Sequence, residues 1–219
     1  ENPAALDLAS LSVIADAVST PYQAIVRAGL RARDVAVWVG VGGVGGFGAQ
    51  ISAAFGALVV AIDIDDERLA QVEPYGISLT LNSATVDAKT LRKKVREFAQ
   101  AHRAAPWRLR IFECSGHPAG QATAFGLLGP GAQLSIVGYT AAAVEIRLSN
   151  LMAFDAVAMG NWGCIPEHYP AVVQLALSGR IALEPFIERC PLAAINDVFD
   201  RLHRAPSRGR VVLIPETAS

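Results

Sequence analysis

The segment Gly40-Val41-Gly42-Gly43-Val44-Gly45 carries glycines at GxGxxG spacing directly after the apolar run Val35-Ala36-Val37-Trp38-Val39. This arrangement suits the pyrophosphate of a dinucleotide. The first glycine permits a tight turn, the second lets bare backbone approach a phosphate, and the third lets a helix pack close to a strand. A helix opening at Gly45 adds free N–H groups and the positive end of its dipole. A glycine-rich turn without a ligand has the same local composition, so the surroundings must decide. The next apolar run, Leu58-Val59-Val60-Ala61-Ile62, ends at Asp63, 18 positions after Gly45. A carboxylate there accepts the two hydroxyls of an adenosine ribose and repels the additional phosphate of NADP, which favours NAD. Asp63 equally suits a solvated strand end, or a cap for the helix that follows Ile64. Arg68, five positions on, reaches either the same ribose or only solvent.

These groups need a scaffold, and the chain alternates in a way that supplies one. Buried strands are expected over 35–39, 58–62, 109–113 and 133–137, with a weaker strand over 77–81 and a sixth over 157–160. Helices are expected over 45–55, 65–75, 85–102 and 119–128, the third carrying Leu91, Val95 and Phe98 at helical spacing. Strands alternating with helices at this interval make βαβ units. The expected fold class is α/β, a doubly wound Rossmann fold with a six-stranded parallel sheet.

Composition narrows the function. Of 219 residues, 52% are hydrophobic and only 18% charged, which excludes a disordered tail. Nineteen Lys and Arg balance 20 Asp and Glu, so no global basic excess points to nucleic acid or a membrane surface. No apolar run is long enough for a membrane span, and the first residues lack a signal-peptide pattern. Cys114, Cys164 and Cys190 form neither a disulfide framework nor a CxxC pair, which fits a reduced, cytoplasmic setting. The missing initiator Met reads as a trimmed or truncated chain.

Further segments stand in a recognisable order. They are Ser19-Thr20-Pro21-Tyr22-Gln23-Ala24, the glycine loop, Asp63-Ile64-Asp65 and Glu113-Cys114-Ser115-Gly116. Gly129-Pro130-Gly131, Val137-Gly138 and Gly209-Arg210-Val211-Val212-Leu213 follow. In this order the chain resembles the medium-chain dehydrogenase/reductase superfamily, which includes the zinc alcohol dehydrogenases. The resemblance covers essentially the whole chain. It implies an NAD-binding Rossmann domain over 35–165, preceded by a leading helix and connector over 1–34. Residues 166–219 would be C-terminal helices and a final strand that rejoins a catalytic domain. That domain, a GroES-like barrel ahead of residue 1, is expected to be absent, leaving a chain that binds NADH without turning over alcohol.

Site roles follow from the resemblance. Ser115 and Gly116 would pass under the adenosine and pyrophosphate, or simply turn the strand into the next helix, with Ser115 or the residues after it as the cap of 119–128. Val137, Gly138, Met159, Gly160 and Asn161 would meet the nicotinamide end, Val137 also being a plain core residue. Arg210 would reach the pyrophosphate, or solvent. Thr20 would pack beside the nicotinamide ring, which sets the face that exchanges hydride. Asp16, four positions before Thr20, stands where zinc members place a third catalytic ligand. A carboxylate can serve there, and a free acidic side chain is the other reading. Zinc is therefore an expected cofactor of the full-length enzyme, its other ligands lying in the missing barrel.

A narrower resemblance is to the subfamily of 6-hydroxycyclohex-1-ene-1-carbonyl-CoA dehydrogenases. It is carried by Ala15 through Val26, Val39 through Gly48, Leu148 through Asp155, and Gly160-Asn161-Trp162-Gly163-Cys164. It implies NAD-dependent oxidation of a ring alcohol to a ketone on a CoA thioester, in anaerobic benzoyl-CoA degradation. Two alternatives stay open. One is a zinc-free quinone or enoyl reductase of the same superfamily, against which Asp63 argues. The other is a non-enzymatic dinucleotide-sensing module. The expected partners are a small-molecule alcohol and further copies of the chain, a homodimer or homotetramer joined near 157–162. His102, His117, His168 and His203 are isolated, Cys114 reads as a structural thiol, and Cys164 has no base beside it. The basic run over 89–96 reads as a solvated helix face.

Overall fold

The computed structural model describes residues 6–204, 207 and 209–215. Two helices lead in, α1 (Leu8–Ser12) and α2 (Ser19–Arg27), joined through a single 3-10 turn at Val13–Ala15. Strands and helices then alternate: β1 (Val35–Val39), α3 (Gly45–Ala54), β2 (Leu58–Asp63), α4 (Asp66–Val72), β3 (Ile77–Asn82), α5 (Ala88–Ala101), β4 (Leu109–Glu113), α6 (Pro118–Gly126) and β5 (Gln133–Ile136). After a long connection come α7 (Ser149–Ala153), β6 (Val157–Gly160), α8 (Tyr169–Leu177), β7 (Ile187–Pro191), α9 (Ile195–Arg204) and β8 (Arg210–Ile214).

Strands β1 to β6 form one parallel sheet in the order β3-β2-β1-β4-β5-β6. This is the doubly wound Rossmann order, and it opens a crevice between the carboxyl ends of β1 and β4. The expected α/β fold class is therefore the observed one. Side-chain alternation explains why both faces are covered. Ala36, Trp38, Val59, Ala61 and Phe112 face one core, shared with α2, α3 and α8. Val35, Val37, Val39, Val60, Ile62 and Ile111 face the other, under α5 and α6. The leading helices and α8 share the first core, so all three chain segments pack together.

Helix starts follow capping chemistry, and this moves some expected boundaries. Asp87 accepts from the backbone of Lys89 and Thr90, both at 3.0 Å, so α5 opens at Ala88 rather than Thr85. His117 Nδ1 accepts from Ala119 N at 3.2 Å and caps α6, so the cap falls on one of the residues after Ser115 that the sequence offers beside Ser115 itself. At the sheet centre Trp38 stacks on Phe112, centroids 4.2 Å apart, and donates Nε1–H to Ser52 Oγ at 3.0 Å. A Cβ at Gly48 would lie 2.1 Å from the Trp38 ring, so glycine is what lets α3 close onto β1.

The last strand has a partner the sequence did not suggest. β8 pairs in parallel with β7, with Ile187 opposite Arg210, as a separate two-stranded sheet. This pairing fixes the backbone of Arg210.

Candidate functional site

The glycine loop leaves β1 where Gly40 donates its N–H to Ile62 O at 2.8 Å. Gly40 has φ +85°, and a Cβ there would lie 2.6 Å from Ser115 N. A Cβ at Gly45 would meet the Gly40 carbonyl oxygen at 1.8 Å. These two positions need glycine for the fold alone. Gly42 differs, because beyond Val41 and Gly43 no atom lies within 4 Å of where its Cβ would be. Beyond it, α3 begins at Gly45 after Val44, and no side chain caps it. The loop thus presents open space to an uncapped helix N-terminus, a setting made for an anion. Gly43 lies under the Arg210 side chain, whose Cδ would be 3.0 Å from a Cβ at Gly43.

Asp63 closes the adjacent side. Its residue is only 6% exposed, and one carboxylate oxygen accepts Val41 N–H at 2.8 Å. The other accepts from Ile64 N at 2.8 Å and Asp65 N at 3.1 Å, with Arg68 Nη1 at 3.6 Å. Asp65 caps α4, through Glu67 N at 2.9 Å, so that duty does not fall to Asp63. A carboxylate offers about four acceptor directions. Three are used by backbone, which locks the loop and leaves acceptor capacity for a sugar hydroxyl. Arg68 also donates to Ser207 O at 3.3 Å.

At the end of β4 the backbones of Gly116 and Gly138 interlock. Gly116 has φ +62°, and a Cβ at Gly138 would lie 2.3 Å from Gly116 N. Val137 N and Gly138 N both donate to Glu113 O at 2.9 Å. Ser115 caps this turn: its hydroxyl donates to Glu113 and accepts from His117 N at 3.1 Å. Val137 also packs against the first core.

Glu113 is a group whose part the sequence did not reveal. It is fully buried at the carboxyl end of β4, Oε1 accepts Ser115 N–H at 2.8 Å, and Oε2 has no partner among the described residues. Burial pushes its carboxyl above the usual glutamate range, against the lowering effect of Ser115 and of the Gly116 backbone N–H. A raised folded-state value means stability is fully present below the ordinary glutamate value and is lost as pH rises through the raised one. Glu113→Gln abolishes that titration. The unfolding midpoint of the parent, relative to Glu113→Gln, should fall as pH climbs above the ordinary glutamate range. Parallel midpoint-against-pH curves would refute the assignment.

Met159, Gly160 and Asn161 are placed by β6, and the structure braces them against α2. Asn161 donates to Thr20 O at 3.2 Å and accepts from Arg27 at 3.2 Å and Gln23 at 3.4 Å. Arg27 also holds Gly160 O at 2.7 Å, and Gln23 accepts Ile165 N–H at 2.6 Å. Met159 Sδ receives Gln133 at 3.5 Å. This clamp connects residues about 140 positions apart, for which no local pattern exists.

Thr20, buried in α2, donates its hydroxyl to Asp16 at 3.1 Å. The other Asp16 oxygen accepts from Arg210. So Thr20, Asp16, Arg210 and the glycine loop form one continuous cluster. Among the described residues no three His, Cys, Asp or Glu side chains converge on a metal position. The donor set at Asp16 is one carboxylate bonded to a guanidinium, and it does not by itself hold zinc. Cys114 and Cys164 both have thiols pushed up by burial, which opposes thiolate chemistry.

A family model described as zinc-binding dehydrogenase matches residues 43–178, more than half of the chain. The chain belongs to the zinc-binding dehydrogenase family. It is the cofactor-binding part of a medium-chain dehydrogenase/reductase. An alcohol dehydrogenase of Geobacillus stearothermophilus is 26% identical over 212 residues, 96% of this chain and 59% of that protein. Galactitol 1-phosphate 5-dehydrogenase of Escherichia coli strain K12 is 26% identical over 187 residues, 81% of this chain and 52% of its own length. Among solved structures, the alcohol dehydrogenase of Aeropyrum pernix superposes with TM-score 0.80 at 26% identity, covering 94% of this chain and 58% of the other. The chain thus spans little more than half the length of these relatives. Residues 43–178 run from within the glycine loop to the end of α8, so the match covers β2 to β6 with Asp63 and Glu113, while β1, Gly40 and Gly42 lie ahead of it.

Proposed function

We propose that this chain is the dinucleotide-binding part of an NAD-dependent dehydrogenase that oxidises a secondary alcohol to a ketone by hydride transfer. The observation that carries this is the open Gly42 position at the uncapped N-terminus of α3, flanked by Asp63 and Arg210. The pyrophosphate would lie on the α3 N–H groups under Arg210, and the adenosine ribose against Asp63. Ser115 and Gly116 would form the floor, and Val137 and Gly138 would stand toward the nicotinamide. Thr20, held by Asp16 and by Asn161, would pack on the ring. NAD, when bound, supplies the hydride acceptor; these residues bind and orient it. The zinc-binding dehydrogenase relatives support zinc in the whole enzyme, with Asp16 as a candidate ligand once further donors join it.

For the substrate, the subfamily resemblance supports 6-hydroxycyclohex-1-ene-1-carbonyl-CoA and its 6-oxo product. The exposed edge of β6, with Val157 and Trp162 at 51% and 89% exposure, supports association with a second copy. Among the described residues no helix is long and apolar enough to cross a membrane. The test is a fluorescence titration of the chain with NADH and NADPH. NADH should bind at least about tenfold tighter, a difference of about 1.4 kcal/mol. Absence of NADH binding would overturn the function, and equal binding of NADPH would overturn the part given to Asp63.

A further inference from the structure

We propose that, while its carboxylate carries no metal, Asp16 sets the dinucleotide affinity of this chain by competing with the cofactor's phosphates for the Arg210 guanidinium. The inference rests on the dinucleotide reading of the glycine loop. Three contacts carry it. Arg210 lies across Gly43, on the rim of the open Gly42 position. Its Nη2 donates to one oxygen of Asp16. The other oxygen accepts the Thr20 hydroxyl at 3.1 Å, so Asp16 is tethered to α2 and does not leave when Arg210 does.

The pair is open to solvent, with side chains 37% and 68% exposed. It is therefore exchangeable, unlike the buried bonds of Asp63. A guanidinium has five donors in a planar fork that fits phosphate oxygens as well as a carboxylate, so a pyrophosphate can draw it from one exposed carboxylate. Arg210 has its backbone fixed by β8 and a flexible stem, so its head can turn from Asp16 toward a phosphate without moving the strand. What remains is the tethered Asp16 anion facing the incoming phosphates. It withholds the cation before binding and repels the ligand afterwards.

The experiment is NADH titration of the chain, Asp16→Asn, Arg210→Ala and the double variant at low and high salt. Asparagine keeps the shape and the acceptor for Thr20 but not the charge. Asp16→Asn should tighten NADH binding about three- to tenfold, with the gain shrinking as salt screens it. Arg210→Ala should weaken binding about tenfold, and Asp16→Asn should gain less in that background, since the two effects act through one pair. A merely structural Asp16 would move affinity and unliganded thermal midpoint downward together. The inference requires affinity to rise while the midpoint stays level or falls. Unchanged or weakened NADH binding by Asp16→Asn overturns it. So does stoichiometric zinc in the parent that is lost in Asp16→Asn without a gain in NADH affinity. If the parent binds no NADH, the dinucleotide reading itself fails, a result distinct from these.

Discussion

Gly42→Ala should weaken NADH binding at least about tenfold while leaving the thermal midpoint within about 2 °C of the parent. Beyond Val41 and Gly43 no atom lies within 4 Å of the added methyl, and Gly42 is not among the glycines with positive φ. The fold has no reason to object. The methyl enters the open space ahead of the uncapped α3 N-terminus, where a pyrophosphate would press against backbone. Gly45→Ala is the contrasting case. Its methyl would meet the Gly40 carbonyl at 1.8 Å and Cys114 Cβ at 3.2 Å, both in packed structure. Overpacking of this kind costs about 3 kcal/mol or more, a midpoint drop of roughly 6–12 °C for a chain of this size. Differential scanning calorimetry and NADH titration on both variants separate a ligand-binding glycine from a folding one. Unchanged NADH affinity in Gly42→Ala would show that the loop is only a turn.

Asp63→Ala should lose roughly 10- to 100-fold in NADH affinity and erase the preference over NADPH. The carboxylate is buried and accepts three backbone N–H groups, those of Val41, Ile64 and Asp65. Bonds to a charged acceptor contribute about 1.5–3 kcal/mol, and the Val41 N–H, beneath a nearly buried residue, would be left unsatisfied. The loop would loosen at Val41 as the ribose acceptor and the repulsion of an additional phosphate disappear together. Asp63→Asn keeps an acceptor for Val41 but no charge, so it should retain more stability and still lose discrimination. A clear NADH preference surviving in Asp63→Ala would sink the ribose assignment, whatever happened to the midpoint.

The sheet was legible in the sequence because its signals are local. Val35 to Val39 and Leu58 to Ile62 are continuous apolar runs, as strands covered on both faces must be, and the glycines between them have steric duties that any ligand-free reading shares. β7 gave no such signal. Ile187-Glu188-Arg189-Cys190-Pro191 has neither an apolar run nor clean alternation, and its strand character comes from pairing with β8. Glu113 was visible only as one letter of a motif. Its burial depends on sitting opposite Val39 and Ile136 in the sheet. The Asn161 clamp and the Arg210–Asp16 pair join residues more than 130 positions apart and leave no local pattern at all. Asp16 and Thr20 are near neighbours in the sequence, and only the fold brings Arg210 to them.

Residues 16 and 210 are separated by 194 positions, and the second lies on the last strand described. This has a consequence for how the protein is made. The six-stranded sheet is complete once Gly160 has been synthesised, and it can begin to condense while the rest of the chain is still on the ribosome. Arg210 arrives roughly fifty residues later and is anchored only when β8 docks on β7. A nascent chain therefore has its glycine loop before it has the cation that covers it.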